Sequence, residues 1–246
     1  MPLEPSNLFL LGTSHRVATL EEREQISLPS DSVDDFYDGL LNLPGIKECL
    51  LLNTCNRTEI YGLGNGEHES GRVGEYLANF RRLEPRFLES HSYKRAGEEV
   101  VRHAFEVSAG IDSQMVGETE ILGQVKDAYE DALHRECTGK ILNRVFQKSF
   151  QAAKWARTHT GISRGQVNLG NVICELTRRI FGKVENSRLL VVGSGEVAES
   201  SLDAFQSRGC RAITVTGRTF EKARALADRA GGFTLSLDNF RESLHL

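Results

Sequence analysis

Arg188-Leu189-Leu190-Val191-Val192-Gly193-Ser194-Gly195-Glu196-Val197-Ala198 is the stretch on which the fold of the second half of the chain turns. Arg188 to Val192 reads as a buried-type strand, and a GxGxxA pattern follows at once where a helix should begin. Glycines at such a turn let the chain reverse tightly and let a pyrophosphate approach the helix N-terminus. A glycine-rich turn that packs closely and binds nothing has the same pattern. Downstream, a second strand over Ala212–Thr216, a helix from Phe220 to about Ala230 and a short strand over Phe233–Leu237 complete the opening of a doubly wound, dinucleotide-binding unit. The second strand ends in Thr216-Gly217-Arg218-Thr219, where an NAD-preferring site would carry an acid. A guanidinium and a hydroxyl suit a 2′-phosphate instead, so NADP(H) is expected, with Arg218 as its contact.

Upstream the pattern changes. Leu8–Gly12 reads as a strand, Val33–Leu43 as a helix closed by Pro44-Gly45, and Leu50–Asn53 and Thr58–Leu63 as strands on either side of Cys55. Gly64-Asn65-Gly66 is a turn, and Glu69–Arg81 a helix. Helical spacing then dominates through Val100–Val107, Ile121–Leu133 and Ile141–Arg157, breaks at Thr160–Gly165, and resumes with Leu169, Val172, Ile173, Leu176 and Ile180 on one side of a helix ending near Gly182. The predicted class is α/β: an α+β N-terminal catalytic domain over 1–163, a linking helix over 164–184, and a partial Rossmann-type parallel-sheet domain over 185–246.

Composition sets wide bounds. The 246 residues are 39% hydrophobic and 26% charged, ordinary for a globular protein. No apolar run approaches the roughly 18 residues of a membrane span, and Met1-Pro2-Leu3-Glu4-Pro5 lacks the features of a signal peptide, so the expectation is a cytoplasmic protein. Cys49, Cys55, Cys137, Cys174 and Cys210 form no CxxC pair, which argues against a disulfide framework or a zinc knuckle. The net charge of -4 weighs against a general nucleic-acid binder. Yet Cys137 to Cys174 contains no Asp or Glu, and Lys140, Arg144 and Lys148 recur every four residues, with Lys154, Arg157 and Arg164 beyond. Such a face is either simply solvated or a surface for an RNA backbone.

Four of the cysteines sit in apolar or helical surroundings. Cys55 lies in Asn53-Thr54-Cys55-Asn56-Arg57-Thr58-Glu59, with a cation two residues away to favour a thiolate. A buried structural cysteine is the plain alternative, as a satisfied helical histidine is for His103. The acidic stretch Glu21, Glu22, Glu24 reads as a solvated face.

Three ordered segments now carry a resemblance. Gly12-Thr13-Ser14-His15-Arg16, Thr54-Cys55-Asn56-Arg57-Thr58-Glu59, and His103 through Lys126 (HAFEVSAGIDSQMVGETEILGQVK) resemble the substrate-pocket motif, nucleophile loop and signature segment of the glutamyl-tRNA reductase family. The resemblance implies that Cys55 attacks the ester of glutamyl-tRNA(Glu), leaving a thioester that hydride from NADPH reduces to glutamate-1-semialdehyde, the first step of tetrapyrrole synthesis. It implies a catalytic His103, substrate contacts at Thr54, Asn56, Arg57, Ser113, Glu118, Thr119, Glu120 and Gln124, and cofactor contacts at Gly193, Ser194, Gly195, Glu196, Val197, Ala198 and Arg218. Arg57 is expected to clamp the substrate carboxylate and Glu118 its ammonium. Partners implied are the tRNA, a second copy in a homodimer and the downstream aminomutase; no metal and no membrane are expected.

The sequence departs from the family's usual residues at Arg16, Ala104, Gln114 and Glu120, the last adding a charge near the substrate. The remainder of the nucleotide domain and the family's helical dimerisation domain would follow Leu246. Hydride transfer is therefore expected to be weak beside acylation. The alternatives are a chain that only forms or hydrolyses the thioester, and a non-catalytic module that grips tRNA or a partner.

Overall fold

A computed structural model of the chain describes residues 7–65, 69–162, 169–238 and 240. The readings placed on the first six residues, on Gly66, on Ser163, Arg164 and Gly165 at the expected boundary, and on the stretch after 240 lie outside the described residues. The chain forms two compact units, residues 1–164 and 165–246.

The first unit is built on a four-stranded antiparallel sheet of β1 (Leu8–Ser14), β2 (Glu48–Asn53), β3 (Arg57–Leu63) and β4 (Tyr93–Ala96), in the order β2-β3-β1-β4. Every residue of β1 and β3 is buried, so these strands are covered on both faces and need no alternation of polar and apolar residues. Around it pack α1 (Leu20–Ile26), α2 (Val33–Leu41), α3 (Glu69–Arg81), α4 (Pro85–Ser90), α5 (Glu98–Ser108), α6 (Glu120–His134) and α7 (Lys140–His159). Strand parity sorts the two faces. Leu10 pairs with Tyr61, whose ring meets Phe146 of α7 edge-on at 5.2 Å, while the next residue, Leu11, reaches towards Gly74 of α3.

α1 and α4 fall where no helix was expected, because helices of seven and six residues are too short to show a period. α1 is set by its start: Thr19 and Glu22 form a reciprocal capping box, so two of the three acids read as a solvated face open a helix. β4 was also unread, as Tyr93-Lys94-Arg95-Ala96 has no apolar run. The N-terminus of α7 begins at Gly139 without a side-chain cap, and the buried Glu48 of β2 takes that role by accepting from the Ile141 and Leu142 amides at 3.2 and 2.7 Å.

In the second unit, α8 (Leu169–Phe181) packs on α9 (Glu196–Gln206), and β5 (Arg188–Val192), β6 (Ala212–Thr216) and β7 (Phe233–Thr234) form a parallel sheet in the order β5-β6-β7. α10 (Phe220–Arg229) joins β6 to β7. Cys174, Leu202, Phe205, Ile213, Val215 and Leu226 are its core. β7 is two residues long, shorter than the expected Phe233–Leu237.

Candidate active site

Cys55 stands at the tip of the β2–β3 hairpin and is the exposed member of the five thiols; Cys49, Cys137, Cys174 and Cys210 are buried. The turn that carries it is fixed from several sides. Thr54 donates its amide to the Arg57 carbonyl at 2.8 Å, and its hydroxyl accepts from the Asn56 and Arg57 amides at 3.3 and 3.2 Å. From the end of β1, the His15 amide donates to the Asn56 carbonyl at 3.1 Å. From α1, the buried Arg23 donates Nε to the Cys55 carbonyl at 3.3 Å and Nη1 to the Ala18 carbonyl at 2.8 Å. Asn53 binds Leu28 through both amide atoms, with Nδ2 to the Leu28 carbonyl at 2.7 Å. A hairpin turn is ordinarily the loosest part of a sheet, so this number of side-chain ties marks a turn whose shape matters.

Behind the turn lies a buried charged cluster centred on Glu59. Its Oε1 accepts from Arg57 Nη1 and His103 Nε2, both at 2.8 Å, and from the Tyr93 hydroxyl at 2.5 Å; its Oε2 accepts from the Tyr61 hydroxyl at 2.6 Å. Glu59 is fully buried and Arg57 and His103 are 1% exposed. Burial alone would push the Glu59 carboxyl up. The hydrogen bond from His103, the Arg57 charge and the Tyr61 hydroxyl outweigh it and hold the carboxyl down to about 2. Burial and the Glu59 charge push the Tyr61 and Tyr93 hydroxyls well above their ordinary value. Gly12 makes the cluster possible. It pairs with both Glu59 and Tyr93, and a Cβ there would come within 2.9 Å of the Tyr93 ring.

Arg57 extends the cluster to the loop between α5 and α6. Its Nη2 donates to the Asp112 carbonyl at 2.7 Å and its Nη1 to the Asp112 carboxylate at 3.2 Å, while the exposed Arg16 pairs with the same carboxylate at 2.7 Å. Next to Asp112, Ser113 donates to Glu118 Oε1 at 3.1 Å, and Glu118 Oε2 accepts from the Glu120 and Ile121 amides at 3.0 and 3.3 Å, capping α6. Arg157 holds the Glu118 carbonyl at 2.8 Å. The fold thus brings Thr54, Cys55, Asn56, Arg57, His103 and Ser113 into one connected region, with Glu118, Thr119 and Glu120 leading from it into α6 and Gln124 one turn on.

Arg57 and Glu118 differ from the sequence expectation in one respect: the guanidinium and the carboxylate are already occupied by protein partners. A buried, paired guanidinium positions a turn and a loop more readily than it captures a diffusing carboxylate. Sequence reasoning left Glu59 and Asp112 unassigned and missed Arg23 altogether. Glu59 and Asp112 stand inside quoted motifs, but nothing local marks a charged side chain as the hub of a buried cluster. The His15 ring, half-buried, has its Nδ1 without a hydrogen-bond partner, and burial followed by the Arg57 and Arg16 charges lowers its pKa.

In the second unit, Gly193-Ser194-Gly195 runs from β5 into α9. Gly193 has φ +123° and donates its amide to the Thr216 carbonyl at 2.7 Å. Gly195 is the N-cap of α9 with φ -90°, a conformation open to any residue, and a Cβ built there meets nothing within 4 Å. The protein's own packing gives no reason for glycine at 195, whereas a phosphate approaching the helix N-terminus would. Val197 is exposed and Ala198 packs on the second core. Arg218 is exposed in the turn after β6. Among the described residues no cluster of His, Cys, Asp or Glu could hold a metal ion, and no helix is long and apolar enough to cross a membrane.

Comparison with known proteins agrees with this arrangement. Residues 11–160 match the family model described as "Glutamyl-tRNAGlu reductase, N-terminal domain", and residues 175–246 match "Shikimate / quinate 5-dehydrogenase". A glutamyl-tRNA reductase of Trichlorobacter lovleyi is 37% identical over 97% of this chain and 55% of its own length, and one from Rubrobacter xylanophilus is 38% identical over 96% and 55%. The solved glutamyl-tRNA reductase of Methanopyrus kandleri superposes with a TM-score of 0.62 at 33% identity, covering 96% of this chain and 55% of that one. The chain therefore spans about half the length of the relatives it matches. With the reductase N-terminal model covering more than half of its residues, the chain belongs to the glutamyl-tRNA reductase family.

Proposed function

We propose that this chain transfers the glutamyl group of glutamyl-tRNA(Glu) to the thiol of Cys55, and that in the complete reaction the resulting thioester is reduced to glutamate-1-semialdehyde. The observation that carries the reading is the placement of the exposed Cys55 on a turn held by Thr54, Arg23 and His15. The thiol gives up its proton, its sulfur forms a bond to the ester carbonyl carbon, the carbon–oxygen bond to the ribose breaks, and the ribose oxygen leaves as a hydroxyl by taking up that proton. Fixing the backbone on either side of the sulfur limits its approach directions, which lowers the entropic part of the barrier.

His103 acts as a positioning residue in this reading, because both of its ring nitrogens are buried and Nε2 is committed to Glu59. It keeps Glu59 oriented, Glu59 keeps Arg57 in place, and Arg57 fixes both the turn and the Asp112–Ser113 loop. Thr54, Asn56, Ser113, Glu118, Thr119, Glu120 and Gln124 line the glutamyl pocket, with Glu120 and Gln124 on one face of the first turns of α6. The Glu118 carboxylate contributes chiefly by shaping the start of that helix.

NADPH fits the second unit on the open Cβ position of Gly195 and the exposed guanidinium of Arg218. When bound, the dinucleotide supplies hydride. Ser194 and Gly195 would offer it backbone amides, Gly193 the turn that presents them, Glu196, Val197 and Ala198 the first turn of α9, and Arg218 a cation for a 2′-phosphate. A homodimer partner and an aminomutase that consumes the semialdehyde belong to the same reading, as does a cytoplasmic setting.

A second reading has one observation in its favour. Cys55 is exposed, so a thioester formed on it is open to water. In this reading water rather than hydride takes the glutamyl group from Cys55, and the product is free glutamate. Product analysis after mixing the protein with glutamyl-tRNA separates the two. Semialdehyde formed only with NADPH supports the reductase; glutamate release that NADPH does not alter supports the hydrolytic reading; unchanged tRNA charging defeats both and leaves a binding module.

A further inference from the structure

We propose that the exposed face of α7 seats the sugar–phosphate backbone of the RNA acyl donor, an inference that rests on the reading of an RNA ester as substrate. α7 is twenty residues long and contains no Asp or Glu. Its buried side is Leu142, Val145, Phe146, Ser149 and Ala153; the opposite side exposes Lys140, Arg144, Lys148 and Lys154. At 100° per residue these four cations fall within about a third of the circumference, and the stripe runs for roughly 20 Å along the axis.

On α8 and α10 part of the exposed charge is paired within the protein. Glu175 of α8 binds Arg178 and Arg179, and Arg229 of α10 binds Glu199. On α7, Lys140, Arg144, Lys148 and Lys154 form no ion pair among the described residues, and Lys148 instead donates to the Gln151 amide at 2.8 Å. A row of unpaired cations without an interspersed acid is what an anionic polymer would neutralise with release of its counterions.

The same face carries the chain's one tryptophan. Trp155 is 60% exposed, although such a ring is usually mostly buried, and it stacks on His159 at 4.9 Å with the rings 14° apart. One face of the indole is thereby steadied, and the other is available for a nucleobase. An acidic protein would satisfy the cations but would have no use for the ring pair.

The test uses the full chain, an unacylated tRNA(Glu) transcript, and a small glutamyl thioester lacking any RNA. The fourfold variant K140A/R144A/K148A/K154A is expected to bind the transcript at least tenfold more weakly near 0.1 M salt, with the slope of log K against log salt reduced by about 3. Cys55 should still accept the glutamyl group from the small thioester at the parent rate, which also reports on folding. The charge-retaining variant K140R/R144K/K148R/K154R should bind like the parent, and W155A should lose about tenfold in affinity without a change in slope. Unchanged affinity and slope in the fourfold alanine variant would overturn the proposal. Equally tight binding of poly-L-glutamate would overturn it in favour of an acidic protein partner. A parent chain that takes glutamyl from the small thioester yet binds no transcript would overturn the RNA-substrate reading along with it. Transcript binding that follows the predicted pattern while Cys55 stays unacylated would support the surface and sink only the nucleophile.

Discussion

The turn after β2 and the turn after β5 both leave the end of a strand, yet the protein treats them in opposite ways. Around Cys55, the Asn53 side chain of β2, the Arg23 side chain of α1 and the His15 amide just after β1 hold the backbone, and a buried cluster of Glu59, His103, Tyr61, Tyr93 and Arg57 stands behind it. Around Gly193–Gly195 the backbone is held by an amide bond from Gly193 to Thr216, and the space over the glycines is open. A site whose working part is one side chain must fix that side chain from outside. A site whose working part is the backbone needs an unobstructed approach.

Removing the hub of the first turn should have the largest effect. Glu59→Gln leaves the buried Arg57 guanidinium short of a charge partner and is expected to destabilise the first unit by about 3–5 kcal/mol in urea titrations. A loss below about 1 kcal/mol would mean the cluster does not underpin the turn. The same carboxylate sets an acid limit. Folding lowers its pKa from near 4.5 to about 2. Its stabilisation is therefore complete above pH 4.5 and is lost as pH falls from there towards 2, by roughly 3 kcal/mol. That portion of the acid-unfolding curve should flatten in Glu59→Gln.

The two glycines sharpen the other side of the comparison. Gly193→Ala forces a side chain into φ +123° and should destabilise the second unit by about 1–2 kcal/mol. Gly195→Ala should leave its melting within about 0.5 kcal/mol of the parent and lower NADPH affinity about tenfold, read by fluorescence titration. If the alanine variant binds NADPH as the parent does, the glycine is not there for a ligand. The smallest effect belongs to Arg16→Ala. This exposed partner of Asp112 should contribute less than about 1 kcal/mol, since Arg57 still holds the loop.

The same contrast explains what could be read from sequence. The parallel half was legible because its strand, glycine turn and helix are contiguous, and β5 and β6 have the bounds that their apolar runs predict. Cys55 was legible for the same local reason, set between two strand-like runs. Its support was not. Arg23 lies 32 residues from Cys55, His103 lies 44 from Glu59, and Asp112 lies 55 from Arg57, separations that no periodicity encodes. The clamp and ammonium roles expected of Arg57 and Glu118 rest on their charge and their places in the family's motifs, and neither tells whether a protein partner is already in place.

The most direct test of Cys55 as the acyl acceptor is intact-mass analysis with peptide mapping after brief incubation with glutamyl-tRNA and no NADPH. One glutamyl addition is expected, confined to the Cys55 peptide, released by hydroxylamine and absent in Cys55→Ser. An addition on another cysteine, or none while the tRNA is deacylated at a rate that Cys55→Ser does not change, would contradict it.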